Sequence, residues 1–137
     1  MCIRRLLSKY IKRVVNPLTK GQDIQLKFVC DEIKENIDFL IPIGLIITEC
    51  VNNSIKHAFT NGTKHKKIEF LIKKNRDGIK ITYTDNGSGY SPVIVDSIID
   101  LDSFGLILIN SLAQQINSEI KFTNDNGAKM TLKIPAD

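Results

Sequence analysis

Cysteine, histidine and tryptophan are scarce in this chain, whose 137 residues include three cysteines, two histidines and no tryptophan. Cys2, Cys30 and Cys50 are far apart and odd in number, which argues against a disulfide framework or a zinc site and favours reduced thiols in the cytoplasm. No apolar run approaches the roughly 18 residues of a membrane helix, and the first residues lack the apolar core of a secretory signal. We therefore expect one domain over residues 1–137, without direct membrane contact.

The motifs of several large enzyme classes are also missing. No glycine-rich stretch leads into Gly-Lys-Ser or Gly-Lys-Thr, and no Gly-x-Gly-x-x-Gly opens a helix after a strand, which excludes P-loop and Rossmann nucleotide sites. No Gly-x-Ser-x-Gly elbow is present, and the cysteines have no obvious histidine partner in the sequence, which argues against a hydrolase.

Positive charge is concentrated at the start of the chain. Lysine and arginine number 19 against 15 acidic residues, giving a formal net charge of +4. Residues 1–20 contain six basic residues and no acid, so the other 117 residues carry a net charge of −2. A nucleic-acid-binding domain usually spreads its basic residues over the folded body, so we expect no nucleic-acid partner.

The pattern of apolar residues predicts three helices and five strands. Residues 3–15 have the spacing of an amphipathic helix, which we expect Asn16-Pro17 to end. A polar link over 31–38 should precede a helix that begins at Pro42, since proline is favoured at the first helical position. The third helix should cover 104–116, and the predicted strands cover 24–30, 67–74, 79–84, 119–123 and 129–134.

Two turn sequences define how the last four strands connect. Asn75-Arg76-Asp77-Gly78 and Asn124-Asp125-Asn126-Gly127 each join two strands into a hairpin. The order of elements predicts an α/β two-layer sandwich, in which helices cover one face of a mixed, mostly antiparallel sheet.

The helix predicted over 42–59 has a chemically unusual polar side. That side carries Glu49, Asn52, Asn53 and Lys56, with His57 at its edge. A solvated face explains most such stripes, but two adjacent asparagines are unfavourable inside a helix. A carboxylate, a carboxamide and a cation within two turns also suit a Mg²⁺ ion bound to phosphates.

Two glycine-containing segments could complete such a site. Asp85-Asn86-Gly87-Ser88-Gly89 is either an ordinary turn or a place where a carboxylate accepts a hydrogen bond from an exocyclic amine while the glycines admit a flat ring. Ser103-Phe104-Gly105-Leu106 opens the third helix, where free backbone N–H groups favour an anion. Capping by Ser103 or Asp102 explains the same residues without a ligand.

Together these segments resemble the ATP-binding domain of sensor histidine kinases, within the GHKL ATPase superfamily. Residues 41–59, IPIGLIITECVNNSIKHAF, resemble its N box in the form typical of the HWE-like subfamily. Residues 85–89 resemble the G1 box and 103–106 the G2 box, while Gly127-Ala128-Lys129-Met130-Thr131 resembles the closing strand motif. Ser103 and Ala128 depart from the pattern, since relatives often have glycine and threonine there.

The resemblance implies a Bergerat ATP-binding fold and a role for each matching residue. Asn53 would bind the Mg²⁺ that bridges the ATP phosphates, and Glu49 would orient or deprotonate the attacking group. The other residues implied to contact phosphate are Lys56, His57, Ser103, Phe104, Gly105 and Leu106. Residues 90–104 would form a short ATP lid.

The resemblance places adenine beside the G1 box. Asp85 would bind the adenine amine, in a pocket that Gly87 and Gly89 shape and that Thr131 supports through water.

As implied by the family, the function is catalysis in a two-component sensor kinase. The γ-phosphate would pass to a histidine on a dimerisation hairpin outside this chain, and from there to a response regulator, because His57 and His65 are poor acceptors inside or beside the ATP site. A stand-alone GHKL serine kinase of the anti-sigma-factor type is an alternative. A nucleotide-binding module without catalysis is another.

Overall fold

The structure is a computed structural model that describes residues 3–35, 37–59, 63–90 and 104–136. Within these residues the sheet has five strands in the order β1-β2-β3-β5-β4. The strands are β1 (Gln25–Cys30), β2 (Lys67–Asn75), β3 (Gly78–Asp85), β4 (Glu119–Asn124) and β5 (Ala128–Pro135). The helices are α1 (Ile3–Tyr10), α2 (Asn16–Lys20), α3 (Ile37–Asn53) and α4 (Phe104–Gln115), with π-helical turns at Ile11–Val15 and Ser54–Ala58.

The strand pairing confirms the predicted mixed sheet. β1 runs parallel to β2, and α3 lies between them in the chain, as a parallel crossover requires. The other neighbours, β2 with β3, β3 with β5 and β5 with β4, are antiparallel. Both predicted hairpins are present, closed by the pairs Asn75–Gly78 and Asn124–Ala128.

A π-helical turn lets the first helical segment continue past a proline. The Asn16 N–H bonds the carbonyl of Ile11, five residues back, and Pro17, which has no N–H to donate, falls at the start of α2. The prediction that Asn16-Pro17 ends the helix is therefore wrong, since the chain stays helical to Lys20. Core-facing side chains recur every four residues along it, at Ile3, Leu7, Ile11, Val15 and Thr19.

The central helix also begins earlier than predicted. α3 starts at Ile37 and contains Pro42 in its interior, so the start at Pro42 is wrong, and the link predicted over 31–38 loses its last two residues to the helix. Pro42 is buried, and the packing of the helix outweighs the one helical hydrogen bond that a proline lacks.

The same helix contributes much of the apolar core of the domain. By length and composition alone, Asp38–Ala58 could cross a membrane. In this fold, however, Ile43, Ile46, Ile47 and Val51 are at most 3% exposed and belong to the core between helices and sheet. The segment therefore serves as the core helix of a folded domain.

Alternation along the strands decides which residues can reach the site. Tyr83 and Asp85 on β3, and Met130 and Leu132 on β5, are buried on the face that the helices cover. Thr131 falls between two of them and therefore points to the opposite, open face. Asp85 thus ends its strand on the helix-covered side, beneath the end of the central helix.

Candidate functional site

Asp85, which is only 6% exposed, receives hydrogen bonds from several separate segments of the described chain. Its Oδ1 atom accepts hydrogen bonds from the backbone N–H groups of Gly87, at 2.9 Å, and Ala128, at 3.0 Å. Its Oδ2 atom accepts one from the Ser54 hydroxyl at 2.7 Å. The carboxylate therefore ties together the end of the central helix, the loop after β3 and the start of β5.

The Tyr83 hydroxyl determines whether the Asp85 carboxylate has an acceptor position open to a ligand. It lies 3.1 Å from the Cys50 carbonyl oxygen and 3.4 Å from Asp85 Oδ2. Burial, and next the charge of Asp85, raise the pKa of Tyr83 well above its ordinary value, so the hydroxyl keeps its single proton. Donation to the closer Cys50 carbonyl leaves Asp85 Oδ2 with room for one more donor, such as a ligand amine.

The Cys50 thiol lies in the same region but is protonated and unreactive. Burial raises its pKa well above the ordinary range, and the negative charges of Glu49 and Asp85 act in the same direction. A buried, protonated thiol is neither a nucleophile nor a metal ligand at neutral pH.

Gly87 is a glycine because the loop after β3 packs directly on the central helix. A Cβ at this position would lie 2.6 Å from the Ala58 Cβ, far inside normal contact. The neighbouring Ser88 N–H donates to the Ala58 carbonyl at 2.8 Å. The sequence-based explanation, in which Gly87 admits a flat ring, stays a prediction beside this internal packing requirement.

Gly89 is needed for a second internal contact. Its φ is +84°, and a Cβ would lie 2.7 Å from Asn124 Oδ1. That oxygen accepts the Tyr90 N–H at 2.7 Å, while Asn124 Nδ2 donates to the Tyr90 carbonyl at 3.0 Å. The Tyr90 ring packs edge-on against Phe122, with ring centroids 5.3 Å apart. The end of β4 thus holds the loop that follows Asp85.

The β4–β5 turn reaches the site through its backbone, and this corrects the role of Thr131. Gly127 has a φ of +144°, and a Cβ there would lie 2.9 Å from the Asp85 carbonyl carbon. Ala128 supplies an N–H to the Asp85 carboxylate, whereas Thr131 lines a groove on the open face of the sheet. The prediction that Thr131 supports the adenine pocket is wrong, because its side chain is on the other side of β5.

The central helix meets α4 at the residues predicted to handle phosphate. A Cβ on Gly105 would lie 3.0 Å from Asn53 Oδ1 and 3.0 Å from Glu49 Oε2, so the glycine lets the start of α4 lie directly against these two side chains, which any larger residue would have to displace. Glu49 and Asn53 are half-buried rather than solvated. Asn53 Nδ2 is buried and has no hydrogen-bond partner within the described part of the chain. An unsatisfied buried amide is costly, which indicates that a ligand completes it.

The remaining sequence-predicted residues are less constrained. Lys56 and His57 lie on the π-helical turn after α3 with exposed side chains, close in sequence to Asn53 but free to turn toward solvent. Ser103 and residues 91–103 of the predicted lid lie outside the described residues. Phe104 and Leu106 belong to the first turn of α4, as the sequence predicts.

Sequence reasoning missed four groups that build the site. Ser54 is buried at the end of the central helix, and an isolated hydroxyl among apolar residues is a signal that a buried partner exists. The Tyr83 hydroxyl, the Ala128 N–H and the Asn124 amide act across 33 to 43 residues of sequence, so the sequence carries no local signal for them.

No cluster of three or more His, Cys, Asp or Glu side chains that could hold a metal occurs in the described ranges. Asn53, with Glu49 beside it, offers oxygen ligands without a closed protein cage. A cation at this place would therefore need oxygens from its own ligand and from water, as Mg²⁺ commonly does.

Comparison with known proteins agrees with the fold. Residues 40–137 match the sequence profile of the "Histidine kinase-, DNA gyrase B-, and HSP90-like ATPase" family, so this chain belongs to that family. It is similar to the histidine protein kinase SaeS of Staphylococcus aureus, with 24% identity over 143 residues. That alignment covers 94% of this chain but 39% of SaeS, so the chain spans well under half the length of this curated relative.

Solved structures of histidine kinases share the fold. The histidine kinase domain of the Erythrobacter litoralis EL346 blue-light activated kinase has a TM-score of 0.76 at 19% identity, covering 97% of this chain and 58% of that one. The catalytic domain of the histidine kinase ThkA has a TM-score of 0.76 at 14% identity, covering 98% and 94%. At these identities the likeness establishes the fold, which is an α/β sandwich as predicted.

We predict opposite effects of alanine at two glycines. Gly87→Ala should lose about 1–3 kcal/mol of unfolding free energy, because the new methyl group collides with Ala58. Gly44→Ala should gain up to about 1 kcal/mol, because Gly44 lies inside a helix and the methyl group would meet the Tyr10 ring at 3.6 Å or more. Urea denaturation of both variants measures this. A Gly87→Ala variant as stable as wild type would contradict the packing of the loop on the helix.

Proposed function

We propose that this chain is the ATP-binding catalytic domain of a sensor histidine kinase and that the domain lies in the cytoplasm, whether or not the parent protein is anchored in a membrane. The observation that carries the proposal is a pair of polar groups beside the end of the central helix that can receive a ligand: Asp85 Oδ2, which has room for a further donor when Tyr83 donates to Cys50, and the Asn53 amide, which has no partner among the described residues. The first suits a base that carries an amine, and the second suits a phosphate with its cation. Membership of the ATPase family supports ATP as the ligand.

Adenine is the base that Asp85 fits. Its exocyclic amine would donate to Oδ2, the oxygen that receives only the Ser54 hydroxyl once Tyr83 donates to Cys50. The network of backbone donors on Oδ1 keeps the carboxylate fixed in orientation before the ligand arrives.

Asn53 would hold the phosphate end through a Mg²⁺ ion. A carboxamide oxygen is a hard ligand that Mg²⁺ accepts, and rotation of the amide about its last bond would place Oδ1 where the unpartnered Nδ2 now lies. When bound, the ion would neutralise charge on the phosphates. The first N–H groups of α4, which Gly105 brings up to Asn53, and the Lys56 ammonium would add positive charge from the protein.

Glu49 is the residue suited to act on the incoming phosphate acceptor. It lies one helical turn before Asn53 on the same side of α3, half-buried and with Oε2 against the start of α4. From there it would orient or deprotonate an acceptor histidine carried by a dimerisation and acceptor domain of the parent kinase. A response regulator would receive the phosphoryl group next. Phosphoryl transfer of this kind depends mainly on positioning and charge.

The form of residues 41–59 supports membership of the HWE-like subfamily. The similar proteins named above are histidine kinases, so the serine-kinase alternative is not favoured. Thr131, which lies on the open face, has no part in the proposed site.

We expect Asp85→Asn to abolish nucleotide binding while Thr131→Ala leaves it unchanged. The asparagine would direct an NH₂ group at donors that now meet an oxygen, whereas Thr131 does not face the site. Calorimetric titration of each variant with Mg·ATP measures the affinity, and thermal unfolding of the same samples reports whether Asp85→Asn is folded. Equal ATP affinities for wild type and a folded Asp85→Asn protein would refute the assignment.

Glu49→Gln should separate binding from transfer. The amide keeps the size of the side chain but cannot accept a proton, so ATP affinity should stay within about twofold and transfer should fall by about 100-fold or more. The assay follows labelled phosphate from ATP to a separately supplied histidine hairpin, where the product should be acid-labile. An acid-stable phosphoserine product would favour the serine-kinase reading instead, and undiminished transfer by Glu49→Gln would remove Glu49 from the mechanism.

A further inference from the structure

The first helix carries an apolar row that the described residues leave partly exposed. Beside the buried row that begins with Ile3 runs a second row with the same spacing of four, formed by Leu6, Tyr10, Val14 and Leu18. Val14 is 40% exposed and Leu18 is 37% exposed, and the other two are half-buried. Because the π-helical turn keeps a spacing of four aligned along the helix, this row forms a continuous stripe.

α3 contributes the other wall of the same surface. Ile41 is 65% exposed and Leu45 is 43% exposed, and these are the most exposed large apolar side chains in the described ranges. Together with Leu6, Tyr10 and Leu40 they line a groove of about 300 Å³ between α1 and α3. We call this the α1–α3 groove. An exposed apolar surface of this continuity marks an interaction site more often than a solvated face.

The groove is rigid as well as apolar. The Tyr10 ring packs against Gly44, where a Cβ would sit 3.6 Å from the ring, and the Tyr10 hydroxyl is hydrogen-bonded to the Thr48 hydroxyl. Thr48 also donates to the Gly44 carbonyl at 3.0 Å, so α1 is fixed on α3 by both packing and polar contacts. A partner would therefore meet a preformed groove between two helices.

Charge next to the groove selects among its occupants. At about 100° per residue, the row Arg5, Lys9 and Arg13 lies on the far side of the apolar row from the core, and all three side chains are exposed. The helical segment over 3–20 contains no acidic residue. A second copy of this chain docked helix to helix would bring two such basic rows together, which is unfavourable. A partner with acidic residues beside its apolar ones is complementary.

The shape of the surface favours a helix over a membrane. A concave groove between two packed helices accepts a third helix by interlocking side chains, whereas a bilayer surface contacts convex, protruding apolar residues. We propose that the α1–α3 groove docks an amphipathic helix of a partner protein, whose apolar residues fill the groove and whose acidic residues face Arg5, Lys9 and Arg13.

The test uses the full chain and two synthetic helical peptides that share leucines at i, i+3 and i+4 spacing. One peptide carries glutamates beside the leucines and the other carries lysines at the same positions. Fluorescence anisotropy should show that the glutamate peptide binds at least about tenfold more tightly than the lysine peptide, with an affinity that weakens as salt rises. Equal binding of both peptides, or no binding of either, would overturn the proposal.

Two matched substitutions locate the binding. Ile41→Glu places a charge in the groove at a position that is 65% exposed, so the fold should persist. The substitution should lower the affinity for the glutamate peptide at least about tenfold. Thr131→Glu makes the same addition of charge on the open face of the sheet and should leave binding unchanged. Unchanged binding by Ile41→Glu would contradict the assigned place.

The other occupants give results of their own. If sedimentation shows a dimer of the wild-type chain that Ile41→Glu abolishes, the occupant of the groove is a second copy of the chain and not a partner helix. Binding to phosphatidylglycerol vesicles that the glutamate peptide fails to displace would replace it with a membrane surface. The proposal does not rest on the nucleotide site, since Asp85→Asn should bind the glutamate peptide like wild type as long as it folds.

Discussion

The domain depends on one nearly buried carboxylate. Asp85 receives the Ser54 hydroxyl from the central helix, the Gly87 N–H from its own loop and the Ala128 N–H from β5. A buried charge of this kind is stable only while its donors are in place, so the three segments are held in register by the same group that we assign to adenine recognition. Fold and site therefore share their most sensitive interaction. For that reason, substitutions at Asp85 need a folding control.

The proposed phosphate end of the site differs in how far its polar groups are satisfied. There the helices approach so closely that Gly105 fits between Glu49 and Asn53, and one amide is left without a partner in the described structure. The base end is preorganised by satisfied donors, whereas the phosphate end is left unsatisfied until a ligand arrives. Farther along the same helix, Ile41 and Leu45 face outward, so α3 serves the core, the proposed site and the proposed docking groove with different faces.

Local signals in the sequence predicted the sheet and the residues proposed for the site, whereas long-range packing decided features that those signals missed. The Asp77-Gly78 and Asn126-Gly127 turns and the strand alternation were sufficient to predict both hairpins, since these depend on neighbouring residues. Pro17 and Pro42 gave wrong helix boundaries, because core packing stabilises helical structure on both sides of each proline. Thr131 was misplaced because a shift of one residue along a strand changes the face of the sheet. Ser54 and Ala128 act across more than 30 residues, which no local pattern records.

Nucleotide discrimination by the unmodified protein tests the central claim most directly. ATP and inosine triphosphate differ at the position where adenine has an amine and hypoxanthine has a carbonyl oxygen. If Asp85 Oδ2 accepts a hydrogen bond from that amine, calorimetry with Mg²⁺ should show inosine triphosphate binding at least about 100-fold more weakly, because two acceptors would face each other in a buried site. Equal affinity for the two nucleotides, or no binding of either at millimolar concentration, would contradict the account.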